Sequence, residues 1–150
     1  SARSEAESVL AEAQAAAVSI REGALAERAR MLDASREQML ELAFAVARQV
    51  LRAELTLTPA AVLPMLEAAL AKFKGEEEPQ VRVSPEVYLL LEEHRGRLVA
   101  AIPGARRVVV EADPALASGD FMVQGAQGFI DGRLDQQVAV VESEVREEER

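Results

Sequence analysis

From Ser1 to about Leu55 the hydrophobic positions recur at helical spacing, and nothing interrupts them: the stretch holds no Pro and a single Gly, Gly23. Ala, Glu, Arg, Leu and Gln dominate it, all strong helix formers, so the pattern predicts one continuous helix. Ile20, Ala24, Arg28, Met31, Ser35, Met39, Leu42, Val46 and Val50 follow the spacing 4, 4, 3 repeated. That eleven-residue period keeps one stripe nearly straight along a helix and favours right-handed supercoiling. Arg28 and Ser35 break its apolar character. A helix of roughly 50 residues is about 75 Å long at 1.5 Å per residue. An ordinary amphipathic helix resting on its own domain would find too little surface at that length, so the stripe is expected to meet a partner helix. The residues expected at that interface are Ile20, Ala24, Met31, Met39, Leu42 and Val46. Val9, Leu10, Ala13, Ala16 and Ala17 extend the stripe with mostly small side chains, which bury little area each, so this end should be weakly held.

The pattern then changes period. Thr58-Pro59 is a cap-and-proline signal opening a second helix through Val62, Leu63, Leu66, Ala69, Leu70 and Phe73, with Pro64 about one turn in. Lys72 and Lys74 place positive charge at its end and Gly75 stops it. Gln80 to Val83 alternates as a strand, and Ser84-Pro85 opens a third helix carrying Val87, Leu90 and Leu91. Arg106 to Ala112 reads as a second strand. Residues 119–131 read as a hairpin: Phe121 and Val123 share one face, Met122 takes the other, and Gly125-Ala126-Gln127-Gly128 forms the turn. Leu134, Val138, Val141 and Val145 mark a final helix over 132–148, ending in Glu147-Glu148-Glu149-Arg150. Gly128 is read as supplying a turn conformation and Asp131 as capping the first turn of that helix, which Leu134 anchors. The expected fold is therefore α+β. A coiled-coil-type helix over 1–55 precedes a small head over 56–150, in which helices pack on about four short strands in a mixed or antiparallel sheet.

Composition narrows the function. The formal charge is -9, and neither a nucleic-acid binder nor an anionic-membrane binder is expected without a basic field. Residues 1–75 carry nine Lys/Arg against ten Asp/Glu, and residues 76–150 carry eight against sixteen, so a basic partner segment would be drawn to the second half. No apolar run approaches the roughly 20 residues of a membrane span, so direct membrane insertion is not expected. The chain opens on Ser rather than Met, which points to a processed or truncated start.

Candidate chemistry is sparse. There is no Cys, which removes disulfides, thiol catalysis and Cys-based zinc sites. His94 is the one histidine and, beside Glu92, Glu93 and Arg95, reads as a solvated surface residue. A carboxylate cluster from Asp113, Asp120, Asp131 and Asp135 is the one metal-binding alternative, although no EF-hand spacing is present. No phosphate-cradling Gly-Lys-Ser/Thr loop, Gly-x-Ser-x-Gly elbow or dinucleotide glycine pattern occurs. The expectation is a non-enzyme with no cofactor and no metal.

Leu116, Gly119, Val123, Gly128, Ile130, Asp131, Leu134 and Gln137 stand at the spacing of a C-terminal signature, and by them the chain resembles the FliH/SctL family of flagellar and type III secretion proteins. The Leu42–Leu51 stretch and the order long helix, helix, strand, helix, strand resemble that family too. Ala13 and Ala17 stand where flagellar members carry Gly-x-x-x-Gly. The resemblance implies a stator or regulator of an export ATPase, cytoplasmic or peripheral at the cytoplasmic face of the export apparatus. Two copies would pair through the long helix and the head would bind the N-terminal helix of the ATPase. The family is itself similar to the E-type peripheral-stalk component of V/A-type rotary ATPases, the alternative identity. In that case the partner is a rotary ATPase and the pairing a heterodimer with a second stalk helix. On charge alone, Glu142, Glu144 and Glu148 of the final helix are the expected contacts for a basic amphipathic helix.

Overall fold

The computed structural model describes all residues except 74, 127 and 150. The expectations placed on Lys74, Gln127 and Arg150 lie outside the described residues. Helix α1 spans Ala2–Leu57. A 3-10 turn at Pro59–Ala61 leads into α2, Val62–Leu70. Strand β1 is Gln80–Val83, followed by α3, Pro85–Glu93, and α4, Arg95–Ala100. Strands β2, Val109–Ala112, β3, Phe121–Gly125, and β4, Gly128–Asp131, precede α5, Leu134–Glu148. The class is α+β, as the pattern predicts.

The chain divides into two compact units, Ser1–Ala43 and Phe44–Arg150. In the first, every residue is exposed except the half-buried Leu40. The second, the head, takes in α1 from Phe44 to Leu57, turns that a boundary at residue 55 assigns to the rod. Helix α1 stops where Pro59 bars Thr58 from helical backbone: Thr58 sits at φ -128, ψ 76, although its N–H still reaches the Glu54 carbonyl at 2.8 Å. Neither Thr58 nor Ser84 caps through its side chain, so both proline signals mark the helix starts by backbone geometry alone.

The head's sheet has the order β2-β1-β3-β4. β1 lies parallel to β2 and antiparallel to β3, and β3 is antiparallel to β4. The parallel pair requires a crossover, which α3 and α4 supply. Val81, Val83, Val110, Phe121 and Val123 face the helices and are buried with Val62, Leu66 and Leu70 of α2 and Val87 and Leu91 of α3. Val123 stands opposite Ile130, and Met122 opposite Asp131 on the other face, the alternation expected for the hairpin. The second helix ends at Leu70 rather than running through Phe73. Its last N–H groups tighten into three-residue turns, Lys72 to Ala69 and Phe73 to Leu70, before Gly75 takes φ +84.

Helix α4 has no counterpart among the elements expected from the pattern. Gly96 inside Arg-Gly-Arg lowers the local preference. The helix holds through burial of Leu98, with Ile102 buried just beyond it. His94 is the junction: it ends α3 half-buried, with Nδ1 2.9 Å from the Leu90 carbonyl, rather than pointing into solvent.

Candidate docking interface

Within the head, the last turns of α1 and helix α5 pack side by side around Leu55, Leu134 and Val138, with Phe44, Ala61 and Met65 against them. Two Arg residues four apart on α1 fasten this pair. Arg52 Nη1 donates to Asp120 Oδ1 at 2.8 Å and to the Ser118 carbonyl at 3.0 Å. Arg48 Nη2 donates to Glu142 Oε2 at 2.8 Å. Because Arg52 reaches the start of α5 through Asp120, which also accepts the Leu134 N–H, and Arg48 meets the middle of α5, the two helices run antiparallel.

Asp120 is the junction of three segments. Its carboxylate is 9% exposed and its Oδ1 also accepts the Leu134 N–H at 3.0 Å. This corrects the reading of Asp131 as the cap. Asp131 lies two residues before the N-cap position, Arg133, and accepts that residue's N–H at 3.0 Å as well as its guanidinium at 2.7 Å. The first free N–H of α5 is satisfied from across the fold, by a carboxylate at the entrance to β3. No local spacing signals such a bond. The Arg133 guanidinium holds the Asp131 carboxyl below its ordinary range.

The glycines divide in the same way. A Cβ on Gly119, at φ +88, would lie 2.7 Å from Leu55 Cδ1, and one on Gly132 would lie 2.1 Å from the Phe121 ring. A Cβ on Gly128 would meet nothing within 4 Å. Close packing therefore requires glycine at Gly119 and Gly132, whereas the space around Gly128 does not.

On the other side of the Arg fastening, α1 and α5 leave a groove of about 290 Å³. Phe44, Ala47, Leu51 and Leu55 form one wall, Leu134, Val138 and Val141 the other, and Ala61 with Met65 the floor, while Glu54 and Gln137 are its polar lining. Leu51 is 43% and Val141 49% exposed. A second hollow, of about 360 Å³, lies between α2 and α5 on the far side of Val141, with Lys72 at its edge.

The three acids expected to contact a partner do not form one set. Glu142 faces α1 and is shared between Arg146 and Arg48, each at 2.8 Å, and the bond from Arg146 foremost, then that from Arg48, holds its carboxyl below the usual range. It is a fastening of the head, not a free contact. Glu144 and Glu148 are exposed and follow Gln137 and Val141 at spacings of 4, 3 and 4, so they prolong the row that borders the groove. The groove itself was missed, since its walls come from residues some ninety positions apart in sequence.

In the first unit, Ile20 is 73%, Met31 64% and Met39 68% exposed, and Ala24 is exposed too. Leu42 in that unit and Val46 in the head are likewise exposed. The four candidate metal-binding acids are dispersed: Asp113 binds Arg82 at 3.0 Å, Asp120 binds Arg52 and Asp131 binds Arg133, while Asp135 is exposed in the first turn of α5. Among the described residues no group of three or more His, Asp or Glu is placed to hold a metal ion. Nor is any single helix among them long and apolar enough to cross a membrane.

No curated protein matches the chain. Among protein families, the description "Flagellar assembly protein FliH" matches residues 11–141. That span covers both the exposed stripe of α1 and nearly all of the head, including the groove and Val141. The chain belongs to the FliH family of flagellar assembly proteins.

Proposed function

We propose that this chain is a non-catalytic stator and regulator of the flagellar export ATPase. It pairs with a second copy through the α1 stripe and holds the ATPase by receiving its N-terminal helix in the groove between α1 and α5. The observation that carries the reading is the groove, an apolar channel with Leu51 and Val141 part-exposed on its walls and Glu54 in its lining, with Glu144 and Glu148 continuing the Val141 row of α5 beyond it. Apolar walls with carboxylates in the lining and just beyond it suit an amphipathic helix whose polar side is basic, the helix-in-groove mode of recognition. Membership of the flagellar assembly family supports this reading, in which the stator works at the cytoplasmic face of an export apparatus.

The test is a titration of the full chain with a fluorescent peptide from the N-terminus of the export ATPase. Val141→Asp should weaken binding at least tenfold, because a charge in an apolar contact is left without a partner at a cost of about 1–3 kcal/mol. Glu144→Lys with Glu148→Lys should weaken it in a salt-dependent way, most at low ionic strength. Binding that survives all three substitutions places the ATPase elsewhere on the head.

A further inference from the structure

Strand β4 closes one side of the sheet, and no further strand lies beyond it among the described residues. The Gly132 N–H donates to the Phe121 carbonyl at 2.8 Å, which fixes the phase of the β3–β4 ladder. Counting back by the two-residue period, Ile130 and Gly128 bond to β3, while the N–H and carbonyl groups of Phe129 and Asp131 point off the sheet. Sheet edges are ordinarily guarded by charge, Pro or a bulge. At the opposite edge, β2 carries Glu111 and runs into Asp113-Pro114. β4 has no Lys, Pro or break in register, and its one charge, Asp131, is held by Arg133 at 2.7 Å. The side chains of this rim are open as well. Phe129 is 67% exposed on the face away from the helices, and Ile130, on the helix side, lines the hollow of about 360 Å³ between α2 and α5.

We propose that the β4 edge is a second docking site, for an extended segment of another protein that adds a fifth strand to the sheet. The outward backbone groups select an extended chain, since donors and acceptors at a strand's spacing are met by another strand and not by a helix. Alternation then fixes what its side chains must be. The residue opposite Phe129 lies on the outer face against that ring and suits a β-branched or aromatic side chain. Its neighbours turn to the other face, where Ile130, Ala68 and Val140 give the hollow an apolar lining, so they suit aliphatic side chains. Lys72 belongs to that lining too, and apart from Asp131, which Arg133 engages, it is the hollow's one charged residue. An acidic residue of the segment is therefore drawn to this end. Such an occupant differs in shape and charge from the basic helix assigned to the groove between α1 and α5. Phe129, Ile130 and Lys72 are not part of that groove, so the two sites stand or fall separately.

The probe is a fluorescein-labelled peptide, Glu-Thr-Val-Thr-Val-Thr, titrated with the full chain and followed by anisotropy. Binding should saturate, and the amides of Phe129 and Asp131 should exchange with solvent at least tenfold more slowly in its presence, while that of Ile130, already bonded to β3, should not change. N-methylating either the Thr or the Val amides of the probe removes the donors along one of its edges only. One of the two methylated peptides should lose at least tenfold in affinity and the other should retain it, whichever way the added strand runs. Phe129→Pro deletes an outward N–H and the ring while sparing the ladder to β3, and should weaken binding at least tenfold. Phe129→Ser, which keeps the backbone, should weaken it about threefold, and Lys72→Glu should weaken it most at low ionic strength. Leu89→Asp, at a leucine of α3 that is 72% exposed and away from the edge, should have no effect. An unchanged melting temperature shows that each variant is folded; if Phe129→Pro is not, Phe129→Ser and the methylated peptides decide. Equal binding of both methylated peptides, binding unmoved by the Phe129 variants, or a probe that does not bind overturns the proposal. Loss of self-association in Phe129→Pro without binding of the probe would give the edge to a second copy and overturn it too. None of these outcomes bears on the groove, whose test is Val141→Asp.

Discussion

Asp120 places one carboxylate oxygen on both the Arg52 guanidinium and the Leu134 N–H, and truncating it leaves two donors unsatisfied in a largely buried setting. Asp120→Ala should therefore cost about 1–3 kcal/mol in urea denaturation. Asp131→Ala should cost less, because its partner Arg133 is 56% exposed. Gly132→Ala should destabilise the head by about 1–3 kcal/mol, since the Phe121 ring has to move. Gly128→Ala should be much milder. Sequence position alone ranks these pairs the other way. Gly128 and Asp131 stand in the recognisable signature, whereas the need for Gly132 and Asp120 arises from contacts with Phe121 and Arg52 that only the folded chain creates.

Glu142 adds a pH dependence. Its carboxyl is held below the ordinary range by Arg146 and Arg48, so it binds protons less readily folded than unfolded. The stabilisation it provides is complete above the ordinary carboxylate range and fades as the pH falls through the lowered folded value. Glu142→Gln should thus lower the melting temperature more at pH 7 than at acid pH below the ordinary carboxylate range, the effect shrinking as the pH falls. An equal effect at both would mean that the ion pairs contribute nothing.

At the scale of elements, period and punctuation were legible where one segment decides its own structure. The Pro-free opening gave α1, Pro59 and Pro85 gave helix starts, and alternation gave β1 and the hairpin. Legibility failed where the partner is remote. Helix α4 forms against its own Gly96 because Leu98 is buried, and α2 ends three residues early in tight turns. The groove depends on α5 lying antiparallel to the end of α1, which the Arg48–Glu142 and Arg52–Asp120 pairs fix. Helix α5 itself has two sides, Glu142, held by Arg146, inward to Arg48 of α1, and Val141, Glu144 and Glu148 on the side that the proposed reading gives to the partner. Substituting Glu142 should consequently perturb stability first, and substituting Glu144 with Glu148 should perturb binding alone, a separation that thermal melts and peptide titration resolve.

For the whole molecule, the charge imbalance acquires a location. The excess of acid in the second half includes Glu142, which is consumed internally, and the exposed Glu144 and Glu148, which continue the Val141 row of α5 beyond the groove. Family membership over residues 11–141 ties the chain to flagellar assembly, and on the proposed reading the exposed α1 stripe is where a second copy attaches. In the first unit, Met39→Asp should weaken self-association without altering the head's melting temperature. On the proposed reading the α1–α5 groove holds the export ATPase. This is tested most directly by light scattering on a mixture of the full chain and the ATPase after size-exclusion separation. Wild type should travel with the ATPase as a complex heavier than either component, and Val141→Asp, folded and equally self-associated, should elute apart from it. A complex of unchanged mass and yield with Val141→Asp, or no complex with wild type, would contradict the account.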